Sequence, residues 1–137
     1  MKEKKITLNN NIEQLSLLAQ FIDSIAIEWK LNSQLQFNLN LILEELISNT
    51  IFYGYKDTEE HRINIEFINN DSFLRIKIED DAQEFNPLIA QSPDLNLPVE
   101  QREIGGLGIH LVRSLSDSID YHRINNKNII FLSLNLS

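Results

Sequence analysis

Glu45 and Asn49 stand four residues apart in a stretch with helical apolar spacing, and far downstream Gly105-Gly106-Leu107-Gly108 runs straight into a second such stretch. Side chains at i and i+4 share a helix face, so a carboxylate that can act as a base and an amide that can bind a metal can meet one ligand. A glycine-dense turn opening a helix presents backbone N–H groups and the positive end of the helix dipole, which suits phosphate oxygens. Together they read as two walls of a nucleotide site. Asp80 is a third candidate. Strand parity carried forward from Leu74, Ile76 and Ile78 aims its carboxylate at the buried side, where it needs a donor such as the exocyclic amine of a base.

The elements that must position these residues follow from periodicity. Lys4 to Leu8 is a short strand candidate, and Asn10 with Glu13 has the spacing of a capping box. Leu15, Leu18, Ile22, Ile25 and Trp29 then recur at helical spacing. Ser33 with Gln36 predicts the start of a second helix running to about Phe52, with Leu35, Leu39, Ile42 and Leu46 as its buried stripe and Gly54 as its end. Glu45 and Asn49 fall along one edge of that stripe. Alternation through Ile63, Ile65 and Phe67, then Leu74, Ile76 and Ile78, with Asn69-Asn70-Asp71-Ser72 between, predicts a β-hairpin.

From 82 to 104 no period is visible and Pro87, Pro93 and Pro98 punctuate the chain, so this segment reads as a lid. Leu107, Ile109, Leu111, Val112 and Leu115 predict a short helix after the glycines. Ile119 and Tyr121 begin a strand, Asn125-Asn126-Lys127-Asn128 turns it, and Ile130, Leu132, Leu134 and Leu136 form the last strand. No repeat or linker is visible, so residues 1–137 are expected to form a single domain.

Composition narrows the classes of function. The chain has 137 residues and a net charge of −8, from 12 Lys+Arg against 20 Asp+Glu. That balance argues against a nucleic-acid binder, which needs a basic patch. It is easier to reconcile with a protein partner or a metal-chelated nucleotide. With no cysteine, disulfides and thiolate metal sites are excluded. MKEKK is followed by neither an apolar run nor a small-residue cleavage site, and no stretch approaches the roughly 20 apolar residues that span a bilayer. A cytoplasmic protein without membrane contact is expected. His61, His110 and His122 lack metal-ligand spacing, and Glu44 faces about 100° away from Glu45 on the helix.

Three segments carry a resemblance. Glu45-Leu46-Ile47-Ser48-Asn49 with Tyr53-Gly54-Tyr55, then Asp80-Asp81-Ala82-Gln83-Glu84-Phe85-Asn86-Pro87, then Gly105 to Val112, resemble the successive ATP-site boxes of the GHKL ATPase superfamily. The match is closest to the anti-sigma factor serine-protein kinases of the RsbW and SpoIIAB type. The resemblance implies an α+β two-layer sandwich, the Bergerat fold, with a mixed, mostly antiparallel sheet covered on one face by helices in the order β-α-α-β-β-(lid)-α-β-β. It implies ATP and Mg²⁺ as cofactors. Glu45 would be the catalytic base, Asn49 the Mg²⁺ ligand and Asp80 the acceptor of the adenine amine. The nucleotide would also be bound by Ala82, Phe85, Gly105, Gly106, Leu107 and Gly108, with Arg102 a candidate for the γ-phosphate. The implied partners are a STAS-type anti-anti-sigma protein, whose Ser is phosphorylated, and a sigma factor, with a homodimer through the exposed sheet.

The chemistry agrees with those roles, because phosphoryl transfer depends mainly on positioning and charge neutralisation. The chain also departs from the pattern. The second box of the superfamily reads Asp-x-Gly-x-Gly, whereas Ala82 and Glu84 stand at the glycine positions here. Alanine penalises a positive φ, and Glu84 adds a negative charge beside a polyanion, so both are expected to weaken nucleotide binding. The alternative to a kinase is therefore a non-catalytic regulatory module of the same fold that binds a partner, with weak or no use of ATP.

Overall fold

Alternating apolar residues need a flat surface on which to bury one face, and the helical stripes supply its cover. The computed structural model describes residues 1–88 and 106–136. Its elements are β1 (Lys2–Asn9), α1 (Gln14–Glu28), α2 (Ser33–Tyr53), β2 (Arg62–Asn69), β3 (Phe73–Asp80), α3 (Gly106–Leu115), β4 (Ser118–Ile124) and β5 (Lys127–Asn135). The α+β class and the element order are those expected.

The five strands form one sheet in the order β1-β2-β3-β5-β4. A mixed sheet was expected, but every pairing among the described residues is antiparallel. The reason lies in the last hairpin. The chain returns through α3 to lay β4 at the outer edge, and β5 then folds back between β4 and β3. Asn125 and Asn126 both have positive φ, 52° and 63°. They make a two-residue turn of the kind that matches strand twist, so the turn is shorter than the four residues predicted, and Lys127 and Asn128 belong to β5.

One face of the sheet is buried against the helices. Ile63, Ile65 and Phe67 of β2, Leu74, Ile76 and Ile78 of β3, and Ile130, Leu132 and Leu134 of β5 meet Leu18, Ile22 and Ile25 of α1, Leu39, Ile42, Leu43 and Ile47 of α2, and Ile109 and Val112 of α3. Each such aliphatic side chain contributes about 1.5–3 kcal/mol relative to exposure. The opposite face carries cross-strand charges, with Lys5 Nζ 3.2 Å from Glu66 and Lys77 Nζ 3.9 Å from the same carboxylate.

Both predicted capping boxes are displaced. Asn10 does not cap α1: its side chain donates to the Glu59 carbonyl and accepts from the His61 N–H, tying the β1 end to the β2 start. Asn32, not Ser33, caps α2, its Oδ1 accepting from Leu35 N–H at 2.8 Å, while Gln36 reaches across to Asp23. α2 ends one residue beyond prediction, at Tyr53, with Gly54 as its C-cap. Gly54 lies in the right-handed region, so its glycine answers crowding: a Cβ there would meet the Thr50 carbonyl oxygen at 2.6 Å and the Ala82 Cβ at 2.8 Å.

Candidate functional site

A cleft of about 400 Å³ opens between the C-terminal half of α2, the turn after β3, the start of β5 and α3. Its apolar walls include Leu46, Ile109 and Ile130, and its polar groups include Asn49, Asp80 and Asn128. A concave, mainly apolar site with a few convergent polar groups is the usual form of a small-molecule pocket.

Asp80 is the last residue of β3 and only 4% exposed, so the parity predicted from sequence holds. Its Oδ1 accepts from the Ala82 N–H at 3.0 Å and the Asn128 amide at 2.9 Å. Burial raises its pKa, and those two hydrogen bonds oppose the rise by stabilising the ionised form. Asn49 sits on the α2 wall. Its Nδ2 is buried and has no partner among the described residues, an arrangement that costs free energy in a finished core. A half-turn of the amide exchanges oxygen for nitrogen, so this position can offer either a donor or an oxygen to a cation.

Glu45 is half-buried one turn before Asn49, yet it does not line the cleft; it faces α3. A Cβ on Gly108 would overlap the Glu45 carboxylate. Gly106 and Gly108 lie in the first turn of α3, so the glycines are helical rather than a separate loop. Arg102 and Gly105 fall outside the described residues, as do the Leu107 side chain and most of the predicted lid, with Pro93 and Pro98.

Ala82 and Phe85 line the cleft. The backbone penalty expected at Ala82 does not arise, because its φ is not positive. Ala82 is 3% exposed, and its methyl occupies the space that Gly54 leaves. Glu84 is exposed at the rim, where solvent screens its charge. The turn they belong to is held by side chains that sequence reasoning missed. Arg123 Nη1 donates to the Ala82 carbonyl at 2.8 Å, and Asn128 Nδ2 donates to the Gln83 carbonyl at 2.9 Å. The turn also docks on the end of α2, the Gln83 N–H donating to the Gly54 carbonyl at 2.9 Å.

Beside this turn, His61 lies between two carboxylates and stacks on Tyr55 with ring centroids 4.2 Å apart. Its Nε2 is 2.7 Å from Asp57 and its Nδ1 3.1 Å from Asp81. Asp57 and Asp81 raise the His61 pKa through those bonds, and His61 lowers that of Asp57.

Three helices cover one face of the antiparallel sheet, with a carboxylate at the floor of the cleft beneath them. The chain belongs to the histidine kinase-like ATPase domain family, whose model matches residues 8–134. It is 22% identical over 113 residues to the serine/threonine-protein kinase BtrW of Bordetella bronchiseptica, covering 82% of this chain and 80% of that protein. It is 31% identical over 94 residues to the serine-protein kinase RsbW of Oceanobacillus iheyensis, covering 66% and 58%. It is 22% identical over 82 residues to the anti-sigma F factor of the same organism, covering 60% and 56%. The chain thus spans little more than half the length of the last two relatives. Its fold matches a crystal structure of the RsbU and RsbW domains of Rv1364c from Mycobacterium tuberculosis with a TM-score of 0.71 at 14% identity, covering 99% of this chain and 32% of that one. Among the described residues no helix is long and apolar enough to cross a membrane.

Proposed function

We propose that this protein is a Mg-ATP-dependent serine kinase of the partner-switching kind, which transfers the γ-phosphate to a Ser of a STAS-type anti-anti-sigma partner and otherwise holds a sigma factor. The observation that carries the reading is the Asp80 carboxylate, buried at the floor of an apolar cleft with its hydrogen bonds from described residues confined to one oxygen. An adenine fits such a floor, since its ring suits the apolar walls and its amine supplies a donor. In this reading Asn49 holds Mg²⁺, the Gly106 to Gly108 turn receives phosphate oxygens at the α3 N-terminus, and Glu45 takes the proton of the attacking Ser hydroxyl. Mg²⁺ would neutralise phosphate charge. The names of the similar kinases and anti-sigma factor support the choice of activity and partners. The exposed sheet face offers a surface for a homodimer.

One observation favours a second reading, a non-catalytic partner-binding module with weak or no use of ATP: Glu45 is packed against Gly108 and does not line the cleft. Incubation with radiolabelled ATP and the STAS proteins of the same genome separates the two. A labelled Ser on one of them is expected. Nucleotide binding without label would favour the binding module, and the absence of any thermal shift at millimolar Mg-ATP would overturn the kinase reading.

A further inference from the structure

Asn128 has every hydrogen-bonding position filled. Its Nδ2 donates to Asp80 Oδ1 at 2.9 Å and the Gln83 carbonyl at 2.9 Å, with the Ala82 carbonyl at 3.4 Å. Its Oδ1 accepts from the Tyr121 hydroxyl at 2.6 Å and the Phe85 N–H at 3.4 Å. The nitrogen side faces acceptors and the oxygen side faces donors, so the amide cannot be turned over without losing the set. It is 4% exposed and stands opposite Asp80 in the β3–β5 register. Asp80 Oδ1 already accepts from both Ala82 N–H and Asn128, so a ligand amine is directed to Oδ2.

We propose that Asn128 is the positioning residue for nucleobase choice: it fixes Asp80 as an acceptor with one oxygen committed, and it pins the turn beneath the ligand where the superfamily pattern has glycines. The inference rests on the nucleotide reading above and adds to it a residue with no assigned role. A site built to accept from an amine discriminates strongly against an analogue that presents an oxygen in its place, since two acceptors are then left facing each other. Inosine triphosphate is that analogue. Asn128→Asp keeps the shape but turns the donors toward Asp80, Gln83 and Ala82 into an acceptor, so two carboxyl groups must share a proton or move apart.

The test compares Mg-ATP with Mg-inosine triphosphate by calorimetric titration of the full chain and of Asn128→Asp and Asn128→Ala. The parent should bind ATP at least about tenfold more tightly. In the variants that ratio should collapse to within about threefold, with inosine triphosphate affinity retained. A parallel loss for both nucleotides, or an unchanged ratio, would show a purely structural residue and overturn the proposal. If neither variant folds, NMR of the parent decides. The Asn128 side-chain amide signals should shift with ATP and much less with inosine triphosphate, and immobile signals in the presence of bound ATP would overturn the inference. A parent that binds neither nucleotide overturns this inference together with the nucleotide reading; a parent that binds ATP and lacks the discrimination overturns this one alone.

Discussion

The first turn of α3 approaches α2 so closely that Gly108 lies directly against the Glu45 carboxylate, with no space for a β-carbon between them. Residue 108 is inside a helix, so the glycine is required there by proximity and not by backbone freedom. The two segments with the strongest chemical signals therefore touch, although one of their members faces away from the cleft.

Gly108→Ala should separate the stability of α3 from the position of the Glu45 carboxylate. Alanine favours a helix by up to about 1 kcal/mol over glycine, while the Glu45 carboxylate, the end of a flexible side chain, must swing aside. We expect the melting temperature to stay near that of the parent and phosphoryl transfer to fall at least about tenfold. In a Glu45→Ala background the same change should add nothing, a coupling that a double-mutant cycle measures.

Glu45→Gln keeps the shape and, on the proposed kinase reading, removes the base. The Mg-ATP thermal shift should persist, and transfer to the partner Ser should drop by about 10²–10⁴. Full transfer by this variant would remove Glu45 from the reaction.

Gly54→Ala places a methyl against the Thr50 carbonyl oxygen and the Ala82 Cβ. Overpacking of this kind costs about 1–3 kcal/mol. Chemical denaturation should show that loss, and Ala82→Gly in the same chain should recover part of it, because the Thr50 oxygen stays where it is.

Stability should also depend on pH through His61. Both ring nitrogens face carboxylates, so the ring must carry two protons to donate to both. A raised pKa means that this contribution is complete below the ordinary histidine value of 6.5 and disappears as pH rises through the higher folded value. The Asp57 share has the opposite sign: it is present above 3.8 and is lost as pH falls through the depressed folded value. Melting temperature should therefore fall as pH rises from 6.5 through the raised folded value, and His61→Asn should flatten that limb. An unchanged profile in the variant would place the pH dependence elsewhere.

The hairpin of β2 and β3, the inward aim of Asp80 and the stripe of α2 were legible because each depends on local period. Asn128 was not. It sits in an asparagine-rich stretch that reads as turn, and only the positive φ of both Asn125 and Asn126 shortens the turn enough to release it into β5. Its partner, Asp80, is 48 residues away, so no local pattern links them. Asn10 shows the same competition in reverse, a good local cap whose side chain is taken by Glu59 and His61 across the fold. Glu45 had the right neighbours in sequence, but which side of α2 faces the cleft is set by where α3 packs.

The insertion of β5 between β3 and β4 gives the site a timetable. While the chain is being synthesised, β1 to β3 can already pair, yet the Asp80 carboxylate lacks its amide and the turn after it lacks its clamp until β5 pairs with β3 and brings β4 in at the edge. Non-local pairing of this kind comes late in folding. A ligand that recognises the clamped turn cannot guide the early chain, but it can hold the finished one by mass action. Bound nucleotide would then mark a molecule whose last strand is in place.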